Sequence, residues 1–179
     1  NGLNYNRQSS GEVINIVGVK DFQNNFVPDL NFIDKIQING ELSVDYKLNS
    51  GDLLVVRSNG SANLVGRFLL IDKVPNETSF SGFTIRLRPN HEKVDSKYLC
   101  YYLRNDKVRE ELTKGSKGSN IKSLNQNMLS SIKVVLPSLS DQKQIVQQIE
   151  NLETQIADLQ KQIELIPKQK EQILKKYLE

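Results

Sequence analysis

VVLPSLSDQKQIVQQIENLETQIADLQKQIELIP (134–167) is the stretch on which the fold turns. From Asp141 onward Ile145, Ile149, Leu152, Ile156, Leu159, Ile163 and Ile166 alternate steps of four and three. That is the heptad of a coiled coil, with isoleucine at a and mostly leucine at d. The seam is only two residues wide per heptad, which suits a partner helix better than the helix's own domain. Its e and g positions include Glu153, Gln155, Gln160 and Gln162, nearly free of charge, so little opposes self-pairing. Ser140 is expected to cap the helix start. Pro167 lacks an amide hydrogen and is expected to end or kink the helix, with KQKEQILKKYL (168–178) forming a second short helical stretch.

Upstream of Pro137 the chain reads as an α/β (α+β) domain, a twisted and mainly antiparallel sheet with packed helices. VINIVGV (13–19) is a compact, β-branched apolar run. IDKIQI (33–38) and ELSVDYKL (41–48) alternate apolar and polar positions around Asn39-Gly40, the signature of a two-residue type I′ hairpin turn. DLLVVRS (52–58), LVGRFLLI (64–71) and FTIRLR (83–88) supply further strands, with Asn59-Gly60 turning the chain between the first two. After Pro89 the period changes. Tyr98, Leu99, Tyr102 and Leu103 recur at helical spacing, with Ser96 as the expected cap and Gly115 as the stop. SLNQNMLSSI (123–132) reads as a short helix capped by Ser123, and IKVVL (132–136) as a last strand. The expected division is therefore a domain over 1–138 and a coiled-coil helix over 139–179.

Composition bounds the function. With 37% hydrophobic and 25% charged residues, the chain has the make-up of a soluble globular protein. Its longest apolar runs fall far short of the ~20 residues that cross a bilayer, and the opening residues do not read as a signal peptide, so no membrane partner is expected. The single cysteine, Cys100, precludes an intrachain disulfide and fits a reducing cytoplasm. A net charge of +3 is small, but its distribution is uneven: seven acidic and six basic residues lie from Asp141 onward, leaving a surplus of +4 on residues 1–140. Arg57 and Arg67 bracket a stretch without acids, and Lys114, Lys117 and Lys122 occupy a second. Two basic, acid-free loops are a modest hint of phosphate contact, the alternative being ordinary solvated lysines on loops.

Catalytic patterns are absent. Neither GSANLVGR nor GSKGSN carries the Lys-Ser/Thr of a P-loop. His91, the only histidine, lies in polar RPNHEK and reads as a solvated loop residue. Cys100, within KYLCYYL, reads as a buried inert thiol. No two prolines adjoin, as the amine-gripping motif of amino-methyltransferases requires. One coincidence remains open: Pro28-Asp29 followed by Asp45-Tyr46-Lys47 fits the PD…(D/E)xK pattern of magnesium-dependent nucleases. That chemistry needs Asp45 and Lys47 on one face of a strand. The bland alternative places both on the solvated face of the Asn39-Gly40 hairpin.

The order of these segments resembles a known family. KLNSGDLLVVRSNG (47–60), LVGRFLLI, SGFTIRLRP (81–89), SKYLCYYL (96–103) and GSNIKSLNQNMLSSIKVVLPSLSDQKQIVQQIENLE (118–153) together resemble one target-recognition domain and spacer helix of a type I restriction-modification specificity subunit. The junction PSLSDQKQI (137–145) is the strongest single match. The resemblance implies a subunit that reads double-stranded DNA without catalysis or cofactor, methyltransferase subunits doing the chemistry and a motor-nuclease subunit cleaving. It also implies two domains and two antiparallel spacer helices. One of each stands here, so the chain reads as a half-subunit that homodimerises or joins a second half, or as a fragment. DNA contact is implied on loops at one side of the sheet. There Arg57, Lys114, Lys117 and Lys122 suit phosphates, while Ser58, Asn59, Ser116, Ser119 and Asn120 suit phosphates or base edges. Lys20, Gln23 and Asn24 on the first polar turn are weaker candidates, and Gly60, Gly115 and Gly118 serve turns. No catalytic or metal-binding residue is expected. The competing readings are the nuclease built on Asp29, Asp45 and Lys47, and a coiled-coil scaffold that binds only protein.

Overall fold

The computed structural model describes residues 1–5, 9, 11–58, 63–75, 77–113 and 123–178. Among them six strands form two three-stranded sheets. In the first, β1 (Val13–Val17) lies between β2 (Asp34–Gln37), antiparallel, and β5 (Thr78–Phe80), parallel. In the second, β3 (Leu53–Val56) lies between β4 (Phe68–Leu70) and β6 (Thr84–Leu87), both antiparallel.

The LLVV run of β3 is apolar at every position because both of its faces are covered. Leu53 and Val55 pack with Phe68, Leu70 and Ile85 against α1 (Ser96–Leu103) and α2 (Asp106–Thr113), meeting Cys100, Leu103, Val108 and Leu112. Leu54 and Val56 point the other way, with Leu69 and Ile71, toward Val17, Phe22 and Phe80. The second sheet is thus sandwiched between two helices and the first sheet, the two-sided burial that makes a mixed domain of this size cohere.

Several local expectations are corrected. The Asn39-Gly40 hairpin does not form. Gly40 takes φ +77, but Asn39 stays out of the positive-φ region that a type I′ turn needs. Within ELSVDYKL, Leu42 is drawn into a small cluster with Ile14 and Ile38, while Leu48 is buried with Leu54 and Phe80. Between these two anchors the chain makes a 3-10 turn at Val44–Tyr46, started by the Ser43 hydroxyl, which accepts from Asp45 N–H. The single helix expected from Ser96 to Gly115 breaks at Arg104-Asn105, where the Asn105 side chain accepts from Lys107 N–H and opens α2. Asparagine favours such a terminal position over a helix interior. Gly115 lies outside the described residues. Asp95, not Ser96, caps α1 by accepting from Tyr98 N–H at 2.9 Å, and Asn125, not Ser123, caps α3 (Gln126–Ser130). IKVVL is no strand. Its carbonyls at Lys133 and Val135 accept from the hydroxyls of Tyr102 and Tyr98 instead.

The last helix, α4 (Leu139–Leu178), runs 40 residues straight through Pro167. Its cap is Ser138 rather than Ser140. The Ser138 hydroxyl accepts from Asp141 N–H at 3.2 Å and donates to the Asp141 carboxylate at 2.6 Å. Pro167 costs a backbone hydrogen bond to the Ile163 carbonyl, but every residue from 151 to 178 is exposed, so water replaces the missing donor.

The first turns of α4 dock on α1. Gln142 is fully buried, accepting from Asp95 N–H at 2.8 Å and donating to the carbonyls of Pro137 (2.8 Å) and Lys93 (3.1 Å). Val146 is buried one turn on. Lys97 then pairs with Glu150 at 2.6 Å, and the Tyr101 hydroxyl donates to Glu153 at 2.7 Å. Beyond Glu153 the helix leaves the domain.

Candidate nucleic-acid interface

Strand directions collect the candidate loops at one end of the domain. Asp34 of β2 opposes Ile16 of β1, and Phe68 of β4 and Ile85 of β6 both oppose Val55 of β3. The carboxyl ends of β1, β3 and β5 and the amino ends of β2, β4 and β6 therefore share that end. At it lie the turn 18–25, residues 57–58 and 63–67, and the turn 81–83.

The roots of the two basic loops are tied together there. Ser58 and Ser123 form an isolated antiparallel bridge, and Leu124 N–H donates to the Arg57 carbonyl at 2.6 Å. On the other side the Arg109 guanidinium donates to the Asn63 carbonyl. The described residues that flank 59–62 are thus tied to Ser123 and to Arg109 of α2. Asn59, Lys114, Ser116, Lys117, Ser119, Asn120 and Lys122, with Gly60 and Gly118, lie outside the described residues. Arg57 and Ser58 are half-buried at the base, and the Arg57 Nε finds no hydrogen-bond partner among the described residues.

Lys20 lies at the same end but is engaged. Its ammonium pairs with Asp34 at 2.5 Å and donates to the Phe32 carbonyl at 3.0 Å, and the Asp34 hydrogen bond holds its pKa above the ordinary lysine value. Gln23 and Asn24 are exposed, and both accept from Arg67.

Sequence reasoning missed three groups at this end. Phe83 is 60% exposed at the tip of the β5–β6 turn, its carbonyl accepting from Arg57 N–H at 2.9 Å. A large apolar ring in a glycine turn, SGFT, was the available signal. Arg104 and Arg109, which the sequence reading did not single out, join Arg67 around a cleft also lined by Gly66, Phe68, Leu103 and Asp106.

The nuclease constellation is not assembled. Asp45 sits in a 3-10 turn rather than on a strand, Lys47 pairs with Glu77 at 2.5 Å, and Asp29 accepts from Asn31 N–H. The described residues hold no group of three or more His, Cys, Asp or Glu placed to hold a metal. His91 is exposed in a turn, and Cys100 is fully buried, its thiol pushed up to about 12 by burial.

Along α4 the seam stands open. Ile149 is half-buried near the domain, whereas Leu152, Ile156, Leu159 and Ile163 are each more than half exposed, as large apolar side chains seldom are without a partner. Ile145 and Ile166 are exposed to a lesser degree. No helix of the described residues is long and apolar enough to cross a membrane.

Comparison with known proteins adds identity to this geometry. Residues 3–168 match the family model described as the type I restriction modification DNA specificity domain. The chain is 31% identical over 159 residues to the type I restriction enzyme StySPI specificity subunit of Salmonella potsdam, covering 85% of this chain and 33% of that protein. It is 32% identical over 109 residues to the putative type I restriction enzyme MjaX specificity subunit of Methanocaldococcus jannaschii, covering 60% and 25%. The fold is shared with the HsdS subunit of Thermoanaerobacter tengcongensis, with a TM-score of 0.64, 18% identity, and coverage of 83% of this chain and 38% of that one. The chain spans about a third of the length of the first of these relatives.

Proposed function

The chain belongs to the type I restriction-modification DNA specificity family, and from that premise we propose that it reads a specific double-stranded DNA sequence through the loop end of its sheets. The observation that carries this reading is the joining of the two acid-free basic loops at their roots, Ser58 to Ser123 and Asn63 to Arg109. Arg57, Lys114, Lys117 and Lys122 contact phosphates. Ser58, Asn59, Ser116, Ser119 and Asn120 reach phosphates or base edges, with Lys20 at the margin. Residues 1–138 form the recognition domain and 139–179 the spacer.

In this reading the chain is not an enzyme and needs no cofactor. It supplies sequence recognition to methyltransferase subunits and a restriction motor-nuclease subunit in the cytoplasm. The open seam from Ile145 to Ile166 pairs as a coiled coil with a second copy or a second half-subunit, so that two recognition domains address a bipartite site. The exposed leucines and isoleucines support this pairing, and the unassembled Asp29, Asp45 and Lys47 give the nuclease alternative no support.

Selection of bound duplexes from a random pool, followed by titration of the winning duplex at several salt concentrations, tests the reading. A recovered consensus and a steep negative slope of log affinity against log salt are expected. Lys114→Ala with Lys117→Ala should weaken binding roughly tenfold or more, since two phosphate contacts are lost. Absence of duplex binding, or recovery of no consensus, overturns it.

A further inference from the structure

The turn that joins β5 to β6 carries one large side chain into solvent. Ser81 is buried, Gly82 has no side chain, and Phe83 is 60% exposed. Every backbone N–H group from Ser81 to Thr84 is engaged. Ser81 donates to the Val17 carbonyl at 2.9 Å, Gly82 to the Leu3 carbonyl at 2.7 Å, Phe83 to the Ser81 hydroxyl at 3.3 Å and Thr84 to the Ser81 carbonyl at 2.9 Å. The Phe83 carbonyl accepts in turn from Arg57 N–H at 2.9 Å. A side chain at Gly82 would collide with Asn4, so the turn is closed on that side as well. A lone exposed apolar residue is ordinary on a protein surface; what sets Phe83 apart is its mounting. A ring on a backbone pinned at this many points loses little further freedom when it meets a partner.

The surroundings of the ring say which partner surface it fits. Chain segments lie side by side at its base: Leu3 on one flank of the turn, Arg57 and Ser58 on the other. At ~4.8 Å between neighbouring chains, these three span roughly 10 Å. That is wider than the ~6 Å minor groove of B-DNA and fits the ~12 Å major groove. Among the groups that base edges present in the major groove, the C5 methyl of thymine is the apolar one, and phenylalanine is among the side chains that pack on it.

We propose that Phe83 reads a thymine, its ring packing on the C5 methyl group in the major groove beside the Arg57–Ser58 root. The inference rests on the DNA-recognition reading above and adds to it a specificity-determining residue carried by the framework instead of a basic loop. Selection is by shape, since neither cytosine nor either purine offers a methyl group there.

The test removes the methyl alone. Each thymine of the selected duplex is replaced in turn by deoxyuridine, which keeps every base-pair hydrogen bond. The parent is titrated beside Phe83→Ala and Val44→Ala, the latter an exposed apolar residue at the opposite end of the sheets. In the parent, one replacement per recognition domain should cost about fourfold in affinity, the worth of one buried methyl-sized group. Phe83→Ala should bind the thymine and deoxyuridine duplexes equally at that position and keep the parent's response at every other, whereas Val44→Ala should match the parent throughout. Phe83→Asn, a residue that turns accept, gives the same reading should Phe83→Ala fail to fold. A consensus without an A·T pair, indifference of the parent to every replacement, or a Phe83→Ala response equal to the parent's overturns the thymine contact while the DNA reading stands. A ring wedged between base pairs would instead raise 2-aminopurine fluorescence at one base step, lose that signal in Phe83→Ala and ignore deoxyuridine, and that outcome overturns the contact too. A parent chain that binds no duplex sinks both.

Discussion

Gln142 shows how much one side chain can decide. It is fully buried and satisfies three backbone groups from two segments, holding α4 against the loop that precedes α1. Gln142→Ala should cost about 3 kcal/mol in urea denaturation, because one N–H and two carbonyls lose their partner in a site closed to water. Gln142→Glu should be no better, since a carboxylate cannot donate to Pro137 and Lys93; equal stability of all three proteins would deny the latch. Cys100 carries a pH signature. Burial raises its folded pKa to about 12 from an ordinary 9.0, so between those values the unfolded chain has lost a proton that the native chain keeps. Stability is then fully present below pH ~9 and falls above it, by at most about 1.4 kcal/mol per pH unit. Alkylation at pH 8 should be negligible until the protein unfolds, and rapid labelling of the native protein would contradict the burial. Phe83, by contrast, is exposed. Phe83→Ala should change stability by less than about 0.5 kcal/mol yet weaken DNA binding, while unchanged affinity would place the ring outside the interface.

Elements were legible where burial is two-sided and illegible where tertiary demands compete with local pattern. β3 and β4 could be read because apolar runs such as LLVV announce strands covered on both faces, and β1, β2 and β6 from a compact β-branched run or an apolar–polar alternation. The alternation of ELSVDYKL misled because Leu42 and Leu48 serve two different clusters and Val44 between them is left in solvent. β5 was invisible: its Thr78 and Ser79 are buried polar residues, and a three-residue strand carries too little pattern to detect. The loop contacts proposed above rest on a charge pattern visible in the sequence, but the cleft of Arg67, Arg104 and Arg109 was not visible there, because it depends on which strand end meets which helix. Pro167 was over-read for a related reason, as an exposed helix can hydrate the carbonyl that proline strands. Continuity of α4 carries the heptad onward in phase, placing Lys170 at a, Ile173 at d and Tyr177 at a. Ile173 and Tyr177 are exposed like the residues before them, so the seam extends beyond Ile166. A chain ending at Ile166 should dissociate at a higher concentration in sedimentation equilibrium. Lys170→Ile should tighten pairing, since a charged a position costs stability while limiting the alternatives. Indifference to both changes would confine the interface to the earlier heptads.

At the scale of the whole molecule, what matters is how rigidly the end proposed to read DNA is joined to a long lever. At 1.5 Å per residue the 40 residues of α4 extend ~60 Å, while only its stretch from Gln142 to Glu153 is fastened to the domain. Direction is fixed by that fastening, because Gln142, Lys97–Glu150 and Tyr101–Glu153 lie along successive turns and resist both rolling and tilting. If two such levers pair through their seams, the separation of the two reading ends is set by helix length, and so is the spacer between half-sites in the DNA. Inserting one heptad tests this ruler, and the structure says where: after Leu159, beyond the last tie at Glu153, so that docking is untouched and the seam keeps its phase. Seven residues add ~10.5 Å, about 3 base pairs at 3.4 Å each. Sequences selected from a random pool by the lengthened protein should show half-sites moved apart by ~3 base pairs. Affinity should drop, because those pairs also rotate one half-site around the duplex by about a third of a turn. A spacer indifferent to the insertion would end the ruler, and Ile156→Asp leaving the protein dimeric would end the coiled coil on which it depends.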